Sequence, residues 1–90
     1  MVRTELENAA ESLEHAADAA ADETARERLR NQATQLADLA TADRGPDHGR
    51  LARHEHILTE IADDEGGDVA THVDAALESL RAFRETVEGV

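Results

Sequence analysis

Lysine, cysteine, tryptophan and tyrosine are absent from this 90-residue chain, which holds one phenylalanine and one proline. Without cysteine it forms no disulfide and no thiolate zinc site. With a single aromatic ring it has no platform on which the bases of a single strand could stack. Large apolar side chains are also scarce, with leucine, isoleucine, valine and phenylalanine making up about a fifth of the chain. The longest apolar run, Ala19-Ala20-Ala21, is far too short to cross a bilayer. The N-terminus has no apolar core of the kind a secretory signal carries, so a cytoplasmic location is the expectation.

What is present in excess is acid and alanine. Twenty-one aspartates and glutamates face nine basic residues, all arginine, for a formal net charge of −12. Such a surface repels itself in dilute buffer and destabilises the compact state. At about 1 M salt the Debye length falls to roughly 3 Å and most of that repulsion is screened. The composition therefore points to a salt-rich cytoplasm. Duplex DNA and anionic membranes, which carry charge of the same sign, are excluded as partners.

Scarce as they are, the apolar residues fall in helical register, which argues against disorder. At about 100° per residue, Leu6, Ala9, Ala10, Leu13, Ala16, Ala17 and Ala20 share one face. Ala25, Leu29, Gln32, Ala33, Leu36, Leu39 and Ala40 share another, displaced from the first by about 140° if the helix runs unbroken. That jump predicts a break at residues 22–24, with Thr24 and Glu27 forming a capping box; the alternative is one long helix through residue 42. Gly45-Pro46 ends the second helix. Asp47 is placed to cap a third, whose stripe is Leu51, His54, Leu58 and Ile61, with Ile57 at its edge. Gly66-Gly67 breaks the chain again, and Asp68 is the expected cap of a fourth helix bearing Val69, Val73, Ala76, Leu80, Phe83 and Val87. Gly89 suits the position just past its end.

These marks predict one all-α domain over residues 1–90. It is an antiparallel up-down four-helix bundle with helices near 4–21, 24–42, 47–63 and 68–88. The first helix offers only Leu6 and Leu13 as large side chains. It is expected to be the weak one, frayed or leaning on a second copy in a homodimer.

No arrangement for catalysis emerges. Ser12 and Ser79 lie inside helices, with no loop to expose an activated hydroxyl. His54 and His56 sit about 200° apart around a helix and point away from each other. Glu11/His15, His56/Glu60 and Asp68/His72 have the i,i+4 spacing of paired metal ligands, but on so acidic a chain such pairs arise by chance. No metal site and no cofactor is assigned. Arg26, Arg28 and Arg30 splay around their helix and are expected to tie down acids on neighbouring ones. The stretch from Asp43 to His56 is the least acidic. Its candidate binding residues are Arg44, His48, Arg50, Arg53, His54 and His56, near a helix N-terminus whose free amides favour anions. His54 stands on an apolar stripe, either as a satisfied core histidine or as a proton-sensitive group.

The segment Ala42-Asp43-Arg44-Gly45-Pro46-Asp47-His48-Gly49-Arg50-Leu51-Ala52-Arg53 resembles a motif in a haloarchaeal family of short acidic proteins of uncharacterised function. So does the closing Phe83-Arg84-Glu85-Thr86-Val87-Glu88-Gly89-Val90, where Phe83 replaces an expected tyrosine. The resemblance implies a haloarchaeal cytoplasm and brings no reaction, ligand or catalytic residue. Together these readings predict a non-enzymatic helical interaction or structural module that holds a protein partner or a second copy. The alternative is a small-ligand (anion) or metal-binding protein using the 43–56 corner.

Overall fold

A computed structural model of the chain describes residues 2–87 and shows four helices: α1 (Thr4–Ala19), α2 (Glu23–Thr41), α3 (His48–Glu65) and α4 (Gly67–Arg84). No strand occurs among the described residues. The helices run up and down as an antiparallel bundle. The start of α1, the end of α2, the start of α3 and the end of α4 lie at one end, which we call the corner end.

The first joint breaks where the stripe changes phase, but a different residue caps it. Ala20 leaves the helix with extended backbone (φ −75°, ψ 128°). The chain is then ready to restart at Asp22, whose Oδ2 accepts from the Ala25 amide at 2.9 Å. Thr24 therefore lies inside the first turn of α2, and the capping box with Glu27 does not form. Asp47 caps α3 as expected, with Oδ1 accepting from the Arg50 amide at 2.8 Å. At the last joint Gly66 alone ends α3 and begins α4. Its φ of 63° lies in the left-handed region that side chains with a Cβ avoid. Asp68, expected as the cap, instead sits in the first turn of α4, where its charge complements the helix dipole. Helix α4 stops at Arg84, short of residue 88. The Thr86 hydroxyl and amide both donate to the Phe83 carbonyl, drawing the chain into a tighter turn. The expected cap at Gly89 lies outside the described residues.

Helix α1 is not the weak element its composition suggests. It lies along both α2 and α4, and every residue of its stripe from Leu6 to Ala20 is buried. Alanine has no bulk to hold neighbouring backbones apart, so α1 approaches both partners closely and needs no second copy to cover it. The seam between α2 and α3 is different. Their backbones come near each other only sparsely, and both carry fully buried leucines, Leu29 and Leu36 on α2 and Leu51 and Leu58 on α3. Gln32 and His54 are the buried polar residues of the core, and both belong to these two helices. Among the described residues the only large hydrophobic side chain left exposed is Val2.

A guanidinium closes each end of α2's neighbourhood. Arg26 Nη2 donates to the Ala20 carbonyl at 2.8 Å, at the end of α1. Arg3 Nη1 donates to the carbonyls of Leu39 (3.1 Å) and Ala42 (2.8 Å), and its amide to that of Ala40 (2.9 Å), at the end of α2. Both satisfy carbonyls that a helix C-terminus leaves without intrahelical partners.

A candidate interaction site at the corner end

The corner loop between α2 and α3 is shaped by Arg3, which lies directly beneath it. A Cβ at Gly45 would stand 2.8 Å from Arg3 Nε, so a side chain there would have to displace the guanidinium that the loop closes over. Gly45 does not adopt a left-handed conformation; its role is to leave room. Pro46 is buried behind it and Asp47 starts α3. The result is an open groove of about 260 Å3 lined by Leu39, Arg44, Gly45, Pro46, Asp47 and Arg50. Leu39 and Pro46 are its apolar lining, and the exposed residues Arg44 and Arg50 bring two guanidiniums to it.

Six of the nine arginines (Arg3, Arg44, Arg50, Arg53, Arg81 and Arg84) belong to the corner end, whereas Asp63, Asp64, Glu65 and Asp68 crowd the opposite one. The arginines divide further by what they touch. Arg28 pairs with Glu60 on α3 (3.5 Å) and Arg30 with Asp18 on α1 (3.2 Å), as expected of acids on neighbouring helices, while Arg26 reaches Glu23 on its own helix (4.0 Å). Arg81 and Arg84 both hold Glu55, at 3.4 and 2.9 Å. Among the described residues, no carboxylate lies within ion-pair distance of Arg3, Arg44, Arg50 or Arg53. Asp47, the one carboxylate lining the groove, is committed to capping α3.

Beneath the groove, Arg50 reaches inward. Its Nε donates to His54 Nε2 at 3.4 Å, and His54 Nδ1 donates to Gln32 Oε1 across the α2–α3 seam. This is the complete bonding pattern of a neutral imidazole with its proton on Nδ1. The ring is only 2% exposed. Burial first, then the charges of Arg50 and Arg53, hold its pKa below the ordinary 6.5. His54 is thus a satisfied core histidine that also touches a residue of the groove.

The other sequence candidates diverge. His48 turns towards α4, where its Nδ1 accepts from Arg84 Nε at 3.2 Å. Arg53 is exposed one turn along α3, and His56 is exposed on another face, 3.9 Å from Glu60. The candidates thus form two groups: Arg44, Arg50 and His54 around the groove, and His48 with Glu55, Arg81 and Arg84 on the α3–α4 side. Among the described residues no three histidine, aspartate or glutamate side chains are gathered in a way that could hold a metal ion. His15 and His72 do meet across α1 and α4, with ring centroids 5.7 Å apart, and His15 lies 3.9 Å from Glu11. No described helix is long and apolar enough to cross a membrane.

Sequence reasoning did not find Arg3, Arg81 or Arg84 as members of this end, nor Glu55 as the acid that holds two of them. Their partners lie 26–39 positions away, outside the reach of helical periodicity. Gly45 next to Pro46 was the available signal for Arg3, but it read as a helix stop rather than as a space.

Residues 1–86 match the model of a family of unknown function, DUF7553. No curated protein and no solved structure matches the chain.

Proposed function

We propose a role for a chain that belongs to the DUF7553 family of unknown function: a non-enzymatic helical interaction module of a salt-rich, haloarchaeal-type cytoplasm, with the corner end as its contact surface. One observation carries this reading. On a molecule of net charge −12, the arginines that have no carboxylate within ion-pair distance among the described residues all belong to one end, and two of them line a groove beside Leu39 and Pro46. In the core, Gln32 and His54 are mutually bonded and the hydrophobic stripes are covered. The acid excess supports the setting, since a surface this negative gains compactness as salt screens it.

The test is chemical cross-linking in multimolar KCl, in lysate of a haloarchaeon, comparing the wild-type chain with Arg44→Ala/Arg50→Ala. A stoichiometric adduct through residues 43–56, lost in the double variant while helicity is unchanged, supports the reading. An adduct pattern identical in both proteins removes the corner as the contact surface.

A further inference from the structure

Resting on that reading, we propose that the corner groove takes an acidic, extended segment of a partner protein, and that its docking is coupled to uptake of a proton by His54. The occupant follows from the lining. Leu39 and Pro46 offer apolar contact for one side chain, and Arg44 and Arg50 line the groove with no carboxylate within ion-pair distance among the described residues, Asp47 being committed to the cap of α3. Arg3 adds a third guanidinium beneath the loop, bonded only to neutral carbonyls. In a cytoplasm of acidic proteins, carboxylates are the partner groups most available to such a surface. Direct contact between touching charges is screened by salt less than the long-range repulsion between two acidic molecules.

The coupling follows from Arg50, which faces both ways. It lines the groove and also donates to His54 Nε2. A carboxylate arriving in the groove competes for that guanidinium and draws it outward. His54 Nε2 then loses its donor and becomes free to accept a proton, while the incoming negative charge offsets the new positive one. The reverse holds as well: a proton on Nε2 leaves two donors facing each other, so Arg50 is expelled towards the groove and the site becomes more cationic. By linkage the two effects are equal in size. The charged groups around His54 are few. On its own helix they are Arg50 and Arg53, and from α2 it meets the neutral amide of Gln32. The buried residues of α1 and α4 are leucine, alanine and valine only. No carboxylate inside the bundle takes the place of the one the partner brings.

A labelled pentapeptide of four glutamates around a central leucine serves as the probe, titrated into the full chain in KCl at about pH 8 and about pH 6, where its carboxylates stay ionised. We expect binding that tightens about fivefold or more at the lower pH. It should be lost in Arg44→Ala and Arg50→Ala, and keep one affinity at both pH values in His54→Gln. His48→Gln and His56→Gln should leave the pH dependence intact. Should His54→Gln fail to fold, the wild-type imidazole can be followed by NMR: saturating peptide should raise the His54 titration midpoint. Peptide that binds with no pH dependence, or an unmoved midpoint, overturns the coupling. Absence of peptide binding overturns the acidic occupant, while the cross-linking outcome still decides the interaction-module reading on its own. A dimer in native mass spectrometry that dissociates in Arg44→Ala would give the groove to a second copy instead, and would also overturn the proposal.

Discussion

The bundle is held by two kinds of seam. Along α1 the facing surface is mostly alanine, the backbones lie close and nothing polar is buried. Between α2 and α3 the backbones stand apart, and both helices carry fully buried leucines, together with one buried histidine and one buried glutamine. Alanine buries little area per residue, yet it removes the spacing that larger side chains impose, so a helix poor in bulk becomes the one with the closest neighbours. Leucine buries more but keeps the helices apart, and the extra width admits a polar pair. The corner groove and His54 both adjoin the wider seam.

Four substitutions or conditions break or sharpen this contrast. The largest effect is expected in the wide seam from Leu58→Ala, which removes a fully buried side chain between widely spaced backbones that cannot close on the cavity. A loss of about 2–5 kcal/mol should appear in denaturant unfolding at fixed salt. In the tight seam the sensitive direction is reversed. Ala16 is fully buried, and Ala16→Leu should cost about 1–3 kcal/mol by forcing α1 off its neighbours, although it adds apolar surface. An unchanged denaturation midpoint would mean that α1 is not closely packed.

The polar pair gives the third test. Gln32→Leu alone strips His54 Nδ1 of its acceptor and should cost about 1–3 kcal/mol, whereas Gln32→Leu/His54→Leu together should come close to the wild-type value at neutral pH. The same double variant isolates the pH response. The folded-state pKa of His54 lies below 6.5, so its neutral form contributes fully above about that pH. Below it the unfolded chain takes up the proton more readily, and stability falls until the folded-state pKa is passed. The stability of the wild type relative to the double variant should therefore decline on acidification from about pH 7, with the acids common to both proteins cancelling in the difference. A constant difference would contradict the burial of the ring. The smallest effect should come at the joint flanking the tight seam. Asp22→Ala removes the α2 cap and should cost about 1 kcal/mol, while Thr24→Ala should cost less.

The stripes were legible because helical phase is a local property. Leu6, Leu36, Leu58 and Leu80, one from each helix, are all fully buried. Gln32 and His54 were visible as polar residues on apolar stripes, but not as partners, since 22 residues separate them and periodicity says nothing about which stripes meet. The phase jump marks the break at residues 22–24 but not the capper: Thr24 with Glu27 reads as the cap, whereas aspartate caps as well and the early departure of Ala20 gives the position to Asp22. Misjudging α1 had a different cause. Counting large side chains measures buried area and is blind to how closely two backbones approach. Arg3 carried no local sign at all, because a single arginine ahead of a helix has no period to belong to.

Both ends of the described chain lie at the corner end of the bundle, since Arg3 is bonded to the end of α2 and Arg84 to the start of α3. A bulky label placed at this end would therefore lie near the surface an assay is meant to report on. The Gly66–Gly67 turn is the better handle. It lies about 27 Å away along the 18 residues of α3, and no atom comes within 4 Å of where a side chain would begin at either glycine. A label on Glu65 or Asp68 would leave the groove clear.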